Sequence, residues 1–433
     1  MKRQSPVTVK PSASPTWVGD FRLFWAAQGA SLTGDQLREF TLPLLALFSL
    51  GASATELGII NAAQWVPFLV LALPLGVLID RHRRRRLLLL SDAMRAVLLV
   101  TLVAAVLWGG LSIPGLVVIA AALGMVAVIH EVGYQSAIPS LVPREYLEKA
   151  NSRIQATAAA AEVGGPGLGG LAVQLLGIPA ALLLNAFTYL TSGSFLALIR
   201  SPEPAPARTN RDFFAELRTG VVRVRHDPYL LANVGFSAIY NPFAQWVIIL
   251  LTVYAVRELG LEPAQLGLVF SIGAAGALLG AAMTSRLTAR LSVGRVILLC
   301  ATVECLALVA LPLADASWGV VPVIIFLGAA LALSGAGTTV SNVLLITIRQ
   351  LRTPDRLLGR VNATMRTVTY GTIPLGALAG GFAGDALGSR LGMLVGALLC
   401  LLTIVWVAFS PLSRIETLDD VSVENADGLN ATP

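Results

Sequence analysis

Charge is scarce in this sequence. Only 13% of its 433 residues are Asp, Glu, Lys or Arg, while 55% are hydrophobic, and mean hydropathy is +0.75. That is too little charge to cover a water-soluble domain of this size. Histidine and cysteine are rarer still, with three of each. Cys300, Cys305 and Cys400 all fall inside apolar runs without metal-ligand spacing, so neither disulfides nor a metal site is expected. No Walker loop and no cluster of catalytic His, Asp or Lys is found, which argues against a membrane-embedded enzyme such as a lipid transferase. No cofactor is expected. Ten-residue alternating segments are missing too, which argues against a membrane barrel. The first 18 residues are polar and Pro/Ser-rich, with no apolar core of a cleavable leader. The first membrane helix is therefore expected to serve as an uncleaved insertion signal.

What the chain does have is apolar stretches, one after another. A helix needs roughly 20 apolar residues to cross a hydrocarbon core about 30 Å thick. Backbone groups in lipid must bond internally, so these stretches predict helices. The expected fold is an all-α membrane protein of twelve transmembrane helices in two six-helix bundles. The first six spans are read at 22–49, 54–79, 86–109, 113–138, 152–176 and 178–199. The second six are read at 229–255, 263–287, 294–313, 318–346, 360–386 and 389–410. The domain reading is a segment at 1–21, a bundle at 22–200, a linker at 201–228, a bundle at 229–410 and a disordered acidic tail at 411–433.

Basic residues resist translocation and so report orientation. With a cytoplasmic N-terminus, 26 of the 31 Lys and Arg fall on the cytoplasmic side. Only Arg257 and Arg390 fall opposite, while Arg38, Arg95 and Arg366 lie within spans. Both termini are expected in the cytoplasm, in a bacterial inner membrane. The net charge of +6 is read as this topology signal rather than as nucleic-acid binding.

The linker opens with Pro202, Pro204 and Pro206, then from Asp212 to Arg225 carries the pattern of an amphipathic helix resting on the cytoplasmic interface. The two halves repeat. A shift of 211 residues lays Pro143 on Pro354, Asn151 on Asn362, Gly165 on Gly376 and Gly170 on Gly381 without a gap. The shift moves each position by six helices, so the halves have parallel topology, as in transporters that rock about a central cavity.

Three stretches carry mechanism. After the second span, Gly76-x-x-x-Asp80-Arg81 leads into Arg84 and Arg85. Gly76 permits close helix approach, and Asp80 could face the N-terminus of a neighbouring helix. In the fifth span, Gly165-Pro166 is followed by Gly169 and Gly170, a kinked and thinned helix. The segments LVPREYLEKAN and LRTPDRLLGRVNA are the third. The loop motif resembles the signature loop of the major facilitator superfamily, with Arg83 where that family has Gly. The helix-five motif resembles that of the drug/proton antiporter branch. The paired segments look most like the macrolide and siderophore exporters and the related transmembrane secretion effectors. The resemblance, which spans residues 20–412, implies proton-driven export of drug-like or secondary-metabolite compounds, with a siderophore as the alternative cargo. It also implies that Asp80 meets helix eleven and locks the cytoplasmic gate.

Ionisable groups inside a membrane are costly and so are functional candidates. Asp35 and Glu39 lie one turn apart near the middle of the first span, with Arg38 between them. A carboxyl in a cavity can take up and release a proton near neutral pH. Asp35 or Glu39 is therefore the expected proton carrier, tuned by Arg38; an internal ion pair is the alternative. Glu162 and Glu304 are further midplane candidates for a proton or a cationic substrate, with an interhelical hydrogen bond as the alternative for each. Asp92, Arg95, His130 and Glu131 are expected to form a charge cluster coupled to the gate; a static packing network is the alternative. Gln28, Asn61, Gln64, Asn241 and Gln245, beside Trp65, Tyr240 and Trp246, suit a broad cavity for amphipathic molecules. The expected partners are a small molecule, protons and the bilayer, and a monomer contains the complete pathway.

Overall fold

The computed structural model describes residues 16–80, 83–200 and 213–421. Arg81 and His82 lie outside the described residues, as do the first residues of the linker and the end of the acidic tail. The first half folds as α1 (Thr16–Leu44, continued by a π-turn Leu45–Ser49), α2 (Ala54–Asp80), α3 (Arg84–Leu107), α4 (Ile113–Leu141), α5 (Leu147–Leu176) and α6 (Ile178–Leu198). The linker contributes α7 (Phe213–His226). The second half follows with α8 (Pro228–Arg257), α9 (Pro263–Thr288), α10 (Val293–Ala310), α11 (Val320–Arg352), α12 (Asp355–Leu387), α13 (Ser389–Cys400) and α14 (Leu402–Phe409).

Helix existence follows the apolar runs closely, but the ends do not. α5 starts at Leu147 and α12 at Asp355, earlier than expected, and α11 continues to Arg352. These polar extensions are helical without being apolar, so a reading based on hydrophobic length stops short of them. The last expected span is interrupted at Leu401 between α13 and α14. Among the described residues, eight stretches are long and apolar enough to cross a membrane, and they come from α3, α4, α6, α8, α9, α10, α11 and the α13–α14 pair. The central helices α1, α5 and α12 fall outside that set because they carry charge and glycine along their length.

Packing separates the halves. α1 lies against α5 and α6, α3 against α4 and α6, and α2 against α4. In the second half, α9 and α10 pack on α11, and α8 packs on α12 and α13. Among the described residues the most extensive crossings between the halves are α2 with α12 and α5 with α9. The helix α7 is fastened to the second half by Val224, which is buried with Leu230, Val361 and Met365. Asp227, directly after α7, accepts from the Tyr229 and Leu230 amides at the start of α8 (3.0 and 3.2 Å). Its other oxygen meets Arg352 at 2.9 Å and Arg223 at 3.3 Å. Asp before Pro is a helix-start signal, and here it also joins the linker to α11.

Candidate functional site

Between the halves lie two adjoining cavities, of about 220 Å³ and about 180 Å³. Glu39, Gln64 and Trp65 line both, forming a septum between them. The first cavity extends toward the end of the molecule where α1 meets α2, past Asn61, Pro166, Gln245 and Phe270. The second extends the opposite way, past Gln28, Asp35, Arg38, Glu131 and Tyr370. Apolar walls with a few convergent polar groups are the usual make-up of a small-molecule site.

One wall is a charge network centred on α1. The Arg95 guanidinium of α3, fully buried, donates to both Asp35 carboxylate oxygens at 3.0 and 3.2 Å. The Tyr189 hydroxyl of α6 donates to the same carboxylate at 2.8 Å, and Arg95 lies over the Tyr189 ring. Behind it, Asp92 holds Arg95 at 3.0 Å and accepts from the Ser192 hydroxyl at 2.6 Å. His130 stands 3.4 Å from Asp92 and is flanked by Ser31 and Ser91. Arg38 is 3.8 Å from Asp35 and donates to the Gln64 amide oxygen at 2.6 Å. Burying this many charges is tolerable only because each has an opposite partner and hydrogen bonds.

Glu39 differs from Asp35. Its side chain is 45% exposed, against 25% for Asp35, and its one ion-pair contact among the described residues is Arg38 at 3.8 Å. Glu162, on α5, is exposed and within electrostatic range of Glu39. Glu304 is elsewhere. It is fully buried on α10 against Gly337 of α11, with neither carboxylate oxygen hydrogen-bonded, and it lines neither cavity.

The aromatic and amide candidates divide in the same way. Trp65 stacks on Tyr370 of α12, centroids 5.8 Å apart, with Phe68 beside both. Gln245 donates to Asn61 at 3.0 Å across the halves. Gln28 is buried at the second cavity with both amide atoms unpartnered. Tyr240 instead points into the second half, its hydroxyl 2.8 Å from Thr338. Trp246 packs on Gly380 and Gly396 and donates to the Gly392 carbonyl at 3.0 Å. Asn241 lines neither cavity.

Of the gate residues, Glu131 receives Arg366 of α12 at 3.3 Å, and Arg366 also lies over Tyr370. Arg85 donates to the Leu196 and Ala197 carbonyls and so caps α6. Arg84 opens α3. Gly76 and Asp80 are placed as the last turns of α2, and Arg81 lies outside the described residues. The helix-five glycines touch two neighbours: Gly165 and Gly169 pack on Gln36 and Phe40 of α1, and Gly170 on Pro263 at the start of α9. Pro166 lines the first cavity.

Tyr189, Ser192, Asp227, Tyr370 and Asp385 carry parts of this architecture without having been singled out in the sequence. Asp227-Pro228 bore a readable signal. The others are polar residues whose partners are more than 90 positions away along the chain.

Over 339 residues the chain is 28% identical to the enterobactin exporter EntS of Salmonella typhimurium, covering 75% of this chain and 78% of that one. Over 402 residues it is 26% identical to the multidrug efflux pump Tap of Mycolicibacterium fortuitum, covering 89% and 94%. Its fold matches the crystal structure of a bacterial homolog of the human lysosomal transporter Spinster, in an inward-facing and unoccupied conformation. That match has TM-score 0.70 at 13% identity and covers 95% of this chain and 99% of that one. Residues 11–431 match the transmembrane secretion effector family, so the chain belongs to that family of major facilitator transporters and is not an enzyme.

Proposed function

We propose that the protein is a proton-coupled exporter that moves drug-like or secondary-metabolite compounds out of the cytoplasm by alternating access. In this reading the chain crosses the inner membrane twelve times. α13 and α14 form one interrupted span, α7 lies on the cytoplasmic surface, and both termini are cytoplasmic. The charge asymmetry of the loops supports that orientation. A single monomer contains both halves and the whole pathway.

The observation that carries the coupling is the Asp35–Arg95–Tyr189 cluster at the cavity wall, with Glu39 one turn away and open to both cavities. Glu39 is the acid placed to exchange a proton with the cavity. Asp35 senses the change through Arg38, which touches both acids. Arg38 and Arg95 also tie α1 to α2 and α3, so altering the charge on Glu39 alters the forces holding α1 in place. Glu162, which lines neither cavity but interacts electrostatically with Glu39, is a second candidate acid.

The cavity chemistry favours neutral or cationic amphipathic cargo over polyanions. The second cavity presents Asp35, Glu39 and Glu131 against Arg38, beside Trp65, Phe68, Tyr134 and Tyr370. A siderophore is the second reading, and it rests on the likeness to an enterobactin exporter. Transport into proteoliposomes under an imposed pH gradient tests both. Uptake of at least one drug or siderophore that collapses in Glu39→Gln and Asp35→Asn is the expected result. Uptake by both variants that matches the wild type refutes the coupling.

A further inference from the structure

The two crossings between the halves end in the same way, and they do so at positions related by the internal repeat. At the first, the Asp385 carboxylate near the end of α12 reaches across to the start of α2. It accepts from the Ala54 amide at 3.0 Å, the Thr55 amide at 2.9 Å and the Ser53 hydroxyl at 2.7 Å. At the second, Gln174 near the end of α5 reaches across to the start of α9. Its side-chain oxygen accepts from the Ala264 amide at 3.1 Å, and its nitrogen donates to Glu262 at 2.6 Å. The shift of 211 residues lays Gln174 on Asp385. The small residues beside them correspond too. A side chain on Gly381 would strike Ala54 and Thr55, and one on Gly170 would strike Pro263 and Ala264. Each half thus caps a helix of the other, and both caps lie at the same end of the molecule.

The first amides of a helix have no partner within it and carry the positive end of its dipole. A carboxylate placed there satisfies them more strongly than a neutral acceptor does. The two caps divide this task differently. α9 has a carboxylate of its own at the cap position, Glu262, so its visitor is the neutral Gln174. The cap residue of α2 is the uncharged Ser53, whose own amide donates to Glu56 of the first turn at 2.8 Å, and the carboxylate on the Ala54 and Thr55 amides arrives from the opposite half. Arg257 at the end of α8 strengthens the same corner by donating to the Gly51 and Ala52 carbonyls, at 3.2 and 2.6 Å.

We propose that Asp385 and Gln174 are the paired latches of the outer gate, with Asp385 the stronger because it brings a charge across the interface. The latches close the end of the pathway opposite the Arg366–Glu131 bridge, and both must release before the halves part there. Their role depends on no particular cargo.

Spin labels at Trp108→Cys and Ala316→Cys, one on each half at this end, report the separation when Cys300, Cys305 and Cys400 are replaced by Ala. The wild-type latches should give mainly a short distance. Asp385→Ala should raise the ratio of long-distance to short-distance populations roughly tenfold, the equivalent of losing one charge-assisted contact. Gln174→Ala should raise it less, and the double variant more than either. Gln174→Glu should also raise it, since a second carboxylate then faces Glu262. Gly381→Leu, which forces α12 off α2, calibrates the open distance. If Asp385→Ala elutes as an aggregate, the nearly isosteric Asp385→Asn decides, with an intermediate ratio expected. A distance distribution unchanged in the decisive Asp385 variant, while Gly381→Leu shifts it, overturns the proposal. So does a larger effect from Gln174→Ala than from Asp385→Ala.

Discussion

The Arg95 guanidinium lies 3.0 Å from the Asp35 carboxylate and 3.0 Å from that of Asp92, so one buried cation serves two acids from different helices. Asp35 faces a cavity and Asp92 does not. The cation therefore links the cavity wall to the interior of the first half, with Tyr189 and Ser192 of α6 holding the acids from the far side.

Removing that cation leaves Asp92 without its guanidinium partner and Asp35 with only the longer contact to Arg38. Arg95→Gln is expected to cost about 3–5 kcal/mol of stability, the usual penalty for breaking a buried pair. Adding Asp35→Asn should recover part of the loss, because one of the two negative charges disappears with it. Thermal unfolding of the purified protein in detergent measures both steps.

Glu39 and Asp35 should separate functionally. Glu39→Gln removes a charge with few contacts, so folding should stay within about 1 kcal/mol of the wild type while gradient-driven transport is lost. Asp35→Asn should lose transport and stability together, because it takes away one of the two acids that hold Arg95. Unfolding curves beside proteoliposome uptake distinguish the two patterns.

The aromatic contact between Trp65 and Tyr370 joins the halves at the second cavity. Trp65→Ala should remove about 0.5–1.5 kcal/mol of pair interaction beyond the area lost. Its larger effect should be on selection among cargoes, since Trp65 lines both cavities. Competition between a planar aromatic and an aliphatic compound for transport reads this out, and a uniform loss for both would mean that the residue only supports the fold.

Asp227 is expected to matter for stability rather than for transport chemistry. Asp227→Ala removes a helix cap and two Arg partners at a buried position, a loss of about 3 kcal/mol or more. Limited proteolysis should show cleavage around α7 well before the helical core is lost.

Much of this architecture was legible in the residues alone. Apolar length predicted where helices exist, because lipid leaves the backbone no alternative. The repeat of Pro143–Asn151 at Pro354–Asn362 predicted the correspondence of the halves, and the matching contacts of Gly170 and Gly381 agree with that register. Asp35, Glu39 and Gln64 were marked by the cost of polar groups in lipid, and all three line the cavities. The same cost also marked Glu304, and the aromatic-amide pattern marked Tyr240, yet both face the interior of the second half instead. A mid-span position reports depth in the membrane but not the direction in which a side chain points.

Partnership was decided by the fold. Arg38 is the nearest basic residue to Asp35 in sequence, yet the closer partner is Arg95, 60 positions away. The helix crossing brings α3 against that face, while the spacing of Arg38 on α1 lets it reach only to 3.8 Å. Nothing in the sequence marks Asp385, and only the packing of α12 on α2 makes it a cap for another helix. Hydrophobic length and charge placement are summed along the chain, so one sequence determines them. Ion pairing and capping depend on distances of a few ångströms between segments far apart in the chain, and those distances exist only once the helices have packed.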